Sequence, residues 1–345
     1  MRGDKYGGHR VLEPKGFLPQ AASKVNNDPK IYSNEILIDV IALNPTSTAF
    51  NRIRTECNGD KEKIKEEIYK IVETQGKFQD PVTKSGGNLI GVVKEIGDDL
   101  KDKIDLKVGD KIATLVSLSL TPLKIYEIKD VNIETDQVFV KADAILFESG
   151  IYTKLPSDID ESLSLALMDV AGAPAQVAIN AKPNDVVVVV GSGKAGLLCL
   201  HEAKKRVKPT GKVICIEYSQ EQCELVERLE LADYVIQGNA QHPNEILEKY
   251  QKVMGNRLAD LTINTVNVPD TEVATVLVTD DEGLIYFFSM STNFAKASLG
   301  AEGVGKHTRM LVGNGYYPGH ADIAFQIMRE NPKLRSYFET KYLRK

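Results

Sequence analysis

The sequence predicts an α/β protein whose second half folds as a doubly wound parallel sheet, preceded by a β-rich domain. Residues 186–190 are five consecutive valines, which is typical of a strand buried on both faces of a parallel sheet. Strand-like and helix-like segments then alternate to about residue 313, and this alternation predicts the doubly wound sheet. Before residue 155, short valine- and isoleucine-rich segments lie between glycines, which favours a strongly bent β-barrel.

A glycine motif follows the valine strand directly and opens an apolar helix pattern. In a GxGxxG turn the first glycine allows the tight turn, the second lets the backbone approach a pyrophosphate, and the third lets the helix pack on the strand. The free N–H groups at the helix start favour phosphate oxygens. The motif therefore predicts a Rossmann dinucleotide site, whose loop consists of Gly191, Ser192, Gly193, Lys194, Ala195 and Gly196.

The next predicted strand, residues 213–217, ends in an acidic residue at the spacing that a dinucleotide site requires. Glu217 accepts hydrogen bonds from a ribose 2′-hydroxyl and repels a 2′-phosphate, and no arginine follows closely. NAD is therefore favoured over NADP as cofactor. Tyr218, Val266 and Ser289 are also predicted to contact it. The alternative is a Rossmann-like core that binds another nucleotide, or none.

The length, charge and composition of the chain limit the classes of protein to which it can belong. A chain of 345 residues predicts two domains. The net charge of −5 argues against nucleic acid or an anionic membrane as the main partner. With no apolar run long enough to span a membrane and no apolar segment at the N-terminus, we expect a cytoplasmic protein. The four cysteines include no CxxC pair, which indicates free thiols.

The elements of the first half follow from local patterns. A strand over residues 35–43 stops at Asn44-Pro45, because proline cannot donate to a sheet ladder. Residues 60–75 place four apolar side chains on one face and predict a surface helix. Glycine-bounded segments over residues 86–116 supply barrel strands, and residues 136–147 add further strand-like sequence.

The second half begins after a boundary at Leu155-Pro156. Two helices lead into the valine strand, and the units that follow repeat as strand and helix. After residue 217 the predicted helices are 220–231, 244–253, 270–277 and 321–329, and the predicted strands are 234–236, 261–266, 283–288 and 310–313.

This order resembles the medium-chain dehydrogenase/reductase superfamily. Gly87 to Gly97 with Val108-Gly-Asp110 is similar to its barrel signature, and segments 231–236 and 282–285 resemble landmarks of its Rossmann domain. The resemblance implies a GroES-like catalytic domain over 1–155 completed by 314–345, and a Rossmann NAD-binding domain over 156–313. It also implies a cofactor in the cleft between domains and usually a homodimer or homotetramer; we expect a homodimer.

The sequence differs from the zinc-dependent members of this superfamily at the positions of their zinc ligands. Their first zinc ligand would fall within residues 44–47, and their His-Glu pair is replaced here by Asn88-Leu89. Neither side chain is a plausible zinc ligand, and the four-cysteine lobe is missing from the sequence. We therefore predict no metal. Asn44-Pro45 instead resembles zinc-free quinone reductases.

A narrower resemblance is carried by residues 3–22, 108–122 and 313–320. These segments are similar to the dehydrogenases that deaminate L-erythro-3,5-diaminohexanoate in bacterial lysine fermentation. The resemblance implies that the 3-amino group is replaced by a keto group, with NAD reduced and ammonia released. Such chemistry needs a base to deprotonate the amine before hydride transfer.

Four residues are the candidates for this chemistry. Asp169, at the turn where zinc relatives place a ligand or its neighbour, is the first candidate base, and a helix-end or N-cap role is the alternative. Asn44 and Ser47, with Thr46, are candidates to hydrogen-bond the amine or the attacking water, and capping of a loop explains them as well. His320 closes a loop that the resemblance places near the pocket, although a lone histidine is usually structural.

Two other functions are open for this sequence. A zinc-free quinone or enoyl reductase would use NADPH, which Glu217 disfavours. A dinucleotide-binding protein without activity is a second alternative on the same fold. Polar groups at the pocket suit an amino-acid substrate, whereas reduction of an apolar enone needs few of them.

Overall fold

The computed structural model describes residues 1–289, 291–313 and 315–343. By their internal contacts these residues form two compact units, Met1–Leu165 and Ala166–Lys345. The first unit is built on antiparallel strands and the second on parallel ones, so the predicted fold class is confirmed.

The first unit contains a six-stranded antiparallel sheet and a separate two-stranded one. The small sheet pairs β1 (Val11–Glu13) with β2 (Lys24–Val25). The large sheet has the order β6-β7-β3-β4-β5-β8. Its strands are β3 (Glu35–Pro45), β4 (Gly87–Ile96), β5 (Lys111–Thr114), β6 (Leu123–Asn132), β7 (Gln137–Phe147) and β8 (Tyr152–Lys154).

Two helices cover the core of the first unit. Helix α1 (Ser47–Glu56) begins with Thr46 as its N-cap, and α2 (Lys61–Gln75) begins after the Asp60 cap. The predicted apolar stripe of α2 is confirmed, because its four apolar side chains are all buried: Ile64, Ile68, Ile71 and Val72. Helix α1 was not predicted, and it starts two residues after the proline that was expected to lead into a loop.

The second unit is a six-stranded, all-parallel sheet in the order β11-β10-β9-β12-β13-β14. The valine run is β9 (Val186–Val190), fully buried, with β10 (Lys212–Glu217) on one side and β12 (Ala259–Asn264) on the other. The outer strands are β11 (Tyr234–Gln237), β13 (Thr279–Phe287) and β14 (Arg309–Val312). The strand order reverses between β9 and β12, and ligands of such sheets bind at the carboxyl ends of the strands at this point.

Helices connect the parallel strands and close the chain. Helix α3 (Glu161–Met168) crosses the boundary between the units. The others are α4 (Gly172–Asn180), α5 (Lys194–Arg206), α6 (Gln220–Arg228), α7 (Pro243–Met254), α8 (Glu272–Val278), α9 (Phe294–Gly303), α10 (His320–Glu330) and α11 (Pro332–Tyr342). Helices α9 and α11 were not predicted.

The contact division differs from the predicted domain limits. It falls at residue 165 rather than 155, and it counts the C-terminal residues with the parallel sheet rather than with the barrel. The reason lies in α10, which buries Ala321, Ala324, Phe325 and Met328 and packs on α4 and α5. A test for membrane spans finds no single helix in the described ranges that is long and apolar enough; only the bent pair α3 and α4 passes it together.

Candidate cofactor and catalytic residues

The glycine loop has the geometry that its sequence predicts. Gly191 has φ +89°, a conformation that side chains rarely adopt. A Cβ on Gly196 would lie 2.0 Å from the Gly191 carbonyl oxygen, so only glycine lets α5 start this close to β9. These two glycines therefore fix the tight turn and the packing of helix on strand.

Gly193 has a different role, because a Cβ there would meet none of the described atoms within 4 Å. Its φ of −66° is ordinary, so space rather than backbone conformation makes glycine useful at this position. Gly193 caps the 13-residue helix α5, whose first N–H groups, including those of Lys194 and Ala195, lie at the positive end of the helix dipole. The open space and the donors together fit a phosphate group.

The Glu217 carboxylate is held by hydrogen bonds from the glycine loop and from the residues that follow Glu217. Its Oε2 accepts hydrogen bonds from the Ser192 backbone N–H at 2.7 Å and from the Ser192 hydroxyl at 2.8 Å. Its Oε1 accepts from the N–H groups of Tyr218 and Ser219 at 2.8 and 2.9 Å. Two donors on each oxygen hold the carboxylate in position at the end of β10.

A cavity of about 580 Å³ at the carboxyl ends of the strands is lined by Gly191, Ser192, Gly193, Glu217 and Tyr218. Val266 lines it after β12, and Tyr218 at its edge is 72% exposed, which leaves the ring face available for stacking. Ser289 lies outside its lining and donates to Asn267 Oδ1, which does line it, at 2.8 Å. Sequence reasoning missed the lining residues Asn239, Gln241, Thr265, Asn267 and Thr271.

The missed residues carry a signal that was available. Asn239 follows the end of β11 by two residues, and Thr265 follows β12 directly. Because parallel strands end at one edge, residues just after each strand converge there. The cavity therefore has polar side chains on both sides of the strand-order reversal.

Asp169 forms an ion pair with a residue of the glycine loop. Lys194 Nζ lies 2.7 Å from Asp169 Oδ2, and both side chains are partly exposed. The Lys194 ammonium also lies 5.7 Å from the centre of the Tyr342 ring. The predicted base and the loop lysine are thus neighbours.

His320 is the first residue of α10 and is only 6% exposed. Its Nδ1 lies 2.9 Å from the Tyr317 carbonyl oxygen, which can only accept, so Nδ1 carries the proton of the neutral ring. Burial lowers the pKa of His320 below its usual value. The neutral ring leaves Nε2 as a potential proton acceptor.

The remaining candidates lie in the first unit, at the end of β3. Asn44 is half-buried and pairs in register with Asn88 of β4. Ser47 is exposed and is the first residue of α1 rather than part of a loop. Thr46 caps that helix, accepting from the Ala49 N–H at 3.3 Å.

Within the described ranges, no group of three His, Cys, Asp or Glu side chains could hold a metal ion. The prediction of metal-free chemistry stays a prediction. The four cysteines are buried and free, as the sequence indicated. Burial raises the pKa of the Cys199 and Cys215 thiols, which argues against thiolate chemistry.

Comparison with known proteins adds a family to this geometry. A family model described as the L-erythro-3,5-diaminohexanoate dehydrogenase N-terminal domain matches residues 9–156. An L-erythro-3,5-diaminohexanoate dehydrogenase of Acetoanaerobium sticklandii is 54% identical over 99% of this chain and 100% of its own length. One of Fusobacterium nucleatum is 53% identical over 99% of each chain. Among solved structures, an alcohol dehydrogenase of Thermotoga maritima matches with a TM-score of 0.56 at 15% identity, covering 89% of this chain and 85% of its own.

Proposed function

The chain belongs to the L-erythro-3,5-diaminohexanoate dehydrogenase family, and from this premise we propose that it oxidatively deaminates L-erythro-3,5-diaminohexanoate. The products would be 5-amino-3-oxohexanoate, ammonia and the reduced cofactor, a reaction that belongs to lysine fermentation. The observation that carries the proposal is identity above 50% over nearly the whole length of two relatives with this name.

We propose NAD as the cofactor. The carboxylate of Glu217 in the cavity favours the two free hydroxyls of the NAD ribose and repels the 2′-phosphate of NADP. The open space at Gly193 and the N-terminus of α5 would hold the pyrophosphate. When bound, the nicotinamide ring would supply the acceptor for the hydride of substrate carbon 3.

Asp169 remains the candidate base for the substrate ammonium, since the nitrogen must lose a proton before hydride can leave carbon 3. The Lys194 ammonium pairs with this carboxylate. A bound pyrophosphate would compete with Asp169 for the Lys194 ammonium, so cofactor binding would weaken the ion pair between these two residues.

Asn44, Ser47 and His320 are proposed as polar contacts of the substrate. Asn44 offers a carboxamide beside that of Asn88, and Ser47 offers an exposed hydroxyl. His320 offers the unprotonated Nε2 of a buried neutral ring. These groups suit an amine and a water molecule better than an apolar enone.

We also propose that two copies of the chain associate as a homodimer. Strand β14 is an edge of the parallel sheet. The helix before it, α9, exposes Phe294 and Leu299 by 73% and 67%, and Val312 of β14 is 46% exposed. An exposed edge strand beside exposed apolar side chains is a surface that proteins usually cover.

The test is to mix chelator-treated protein with NAD and L-erythro-3,5-diaminohexanoate and to measure NADH and ammonia together. Equal amounts of both are expected. Oxidation of NADPH by a simple quinone, without turnover of the amine, would instead establish the reductase alternative. No turnover of either substrate, with NAD still bound, would leave a dinucleotide-binding protein.

A further inference from the structure

A continuous chain of hydrogen bonds in the first unit leads from the end of β3 to a buried carboxylate. Thr46 Oγ1 lies 2.8 Å from Ser85 Oγ, and Ser85 Oγ lies 2.7 Å from Thr83 Oγ1. Thr83 Oγ1 donates to Asp80 Oδ2 at 2.7 Å. Asp80 is fully buried, whereas the three hydroxyl residues are half-buried.

The direction of this chain follows from the chemistry of its end. A carboxylate only accepts, so the single hydroxyl proton of Thr83 is committed to Asp80. Ser85 must therefore donate to Thr83, and Thr46 must donate to Ser85. Every hydroxyl points its proton towards Asp80. Thr46 Oγ1 accepts from the Ala49 N–H as the cap of α1, and its second lone pair is the accepting end of the chain.

The polar contacts of Asp80 hold its carboxylate in place at the end of the hydroxyl chain. Its Oδ1 accepts from Arg52 Nε at 2.6 Å, but the same guanidinium also pairs with Glu56 and lies 3.7 Å from Glu67. One cation is thus shared by three carboxylates. Asp80 Oδ2 also accepts from the Thr83 backbone N–H at 2.7 Å, so both carboxylate oxygens are fixed by donors.

We propose that Asp80, Thr83, Ser85 and Thr46 form a proton relay for the water-addition and ammonia-release steps, an inference that rests on the proposed function. In the first step water oxygen bonds to carbon 3 of the iminium ion. The water loses a proton to Thr46 Oγ1, each hydroxyl passes its own proton one place along, and Asp80 becomes a carboxylic acid.

The relay then runs backwards. The proton returns through Thr46 to the amino nitrogen of the carbinolamine. The C–N bond breaks as the C–O double bond forms, the remaining hydroxyl proton goes to solvent water, and ammonia departs. The carboxylate is restored, so the relay consumes no oxidant and no net proton.

The relay suits these steps and not the first deprotonation. An alkylammonium has an ordinary pKa of about 10, so its proton must pass directly to a base beside the nitrogen, which is the task proposed for Asp169. The oxonium formed when water adds to an iminium ion is far more acidic. Asp80 and Asp169 therefore have separate tasks.

Ser85→Ala is the variant that tests the relay. It removes the hydroxyl that bonds to both Thr46 and Thr83, but it keeps the Thr46 cap and the Thr83 contact to Asp80. We expect kcat to fall about 100-fold, because a positioned proton transfer is worth about 10² to 10⁴ in rate. Small buffers that carry protons, such as imidazole at constant pH and ionic strength, should restore the rate in proportion to their concentration.

Two controls accompany it. Ser85→Thr keeps a hydroxyl and should retain most of the activity. Thr55→Ala removes an exposed hydroxyl of α1 that bonds only within its helix, and should change neither rate nor buffer dependence.

The outcomes separate the relay from the proposed function. If Ser85→Ala has the same kcat as the unmodified protein, the relay is overturned. A slow Ser85→Ala variant that imidazole does not rescue also overturns it, because a buffer can replace a lost proton carrier but not a lost structural contact. If the unmodified protein itself forms no NADH and ammonia from the diamine, the proposed function fails before the relay is tested.

Discussion

At the scale of single residues, Glu217 joins the glycine loop to the second strand of the sheet. Its four hydrogen bonds come from donors within the protein, including the Ser192 hydroxyl. A ribose hydroxyl that donates to Glu217 must therefore displace one of them, and the rotatable Ser192 hydroxyl is the easiest to displace. The sequence motif predicts the carboxylate but not that Ser192 already occupies it.

Glu217→Gln should reduce the preference for NAD over NADP. The amide keeps the shape of the side chain but loses the negative charge that repels a 2′-phosphate. We expect kcat/KM for NAD to fall about tenfold, as for the loss of about 1.4 kcal/mol, while kcat/KM for NADP rises. Steady-state kinetics with both cofactors measures the ratio.

Glu221→Gln is the matched control for this change. It removes the same charge from an exposed position in the first turn of α6, outside the cavity lining. If both variants change the cofactor ratio equally, general electrostatics rather than the Glu217 contact sets the preference.

His320 should make the protein sensitive to acid. Burial depresses its pKa in the folded state, whereas in the unfolded chain the pKa is about 6.5. The unfolded state therefore binds the proton first, and stability is lost as pH falls from about 6.5 through the lowered folded pKa. His320→Gln should show a smaller drop in melting temperature between pH 7 and pH 5.

His242→Gln provides the comparison, because His242 is exposed at the start of α7. His201 is half-buried and its pKa is also lowered by desolvation, so some acid sensitivity should remain in every variant. An unchanged pH dependence in His320→Gln would show that this residue is not a source of the sensitivity.

At the scale of elements, two glycines of the loop between β9 and α5 are needed for different reasons, one for open space and one for close packing. Gly193→Ala places a methyl group in open space at an ordinary φ, so the melting temperature should not change while NAD binding weakens at least tenfold. Gly196→Ala forces a clash with the Gly191 carbonyl, so it should cost about 1–3 kcal/mol of stability.

Thermal unfolding and titration of NADH fluorescence distinguish the two variants. Each serves as the control for the other, since they differ by the same methyl group three residues apart. Equal loss of stability in both would mean that the space at Gly193 is needed for folding rather than for a phosphate.

Elements with a regular spacing of apolar residues were predictable from the sequence. Features that depend on contacts between distant residues were not. The valine run and the stripe of α2 follow from burial patterns that the sequence displays. Helix α1 was missed because Pro45 was taken to open a loop, although Thr46 is a residue type that starts helices. The pairing of Thr46 with Ser85 joins residues 39 apart and has no periodic signal.

At the scale of the whole molecule, the same distinction holds for the domain limits. The alternation of strands and helices predicts the parallel sheet but not the order of its strands. The tail was assigned to the barrel by resemblance, yet α10 packs on α4 and α5 through small and apolar side chains. A helix that is apolar on one face does not reveal from its own sequence which surface it covers.

The proposed homodimer gives the last prediction. Unmodified protein should have a mass in solution twice that of the 38.1 kDa chain, measured by light scattering after size exclusion. Leu299→Glu places a charge on the exposed face of α9 and should shift the mass to that of a single chain. Val108→Glu, at an equally exposed valine of the first unit, should leave the dimer intact. A dimer that survives Leu299→Glu would place the interface on another surface, because a buried unpaired carboxylate costs several kcal/mol.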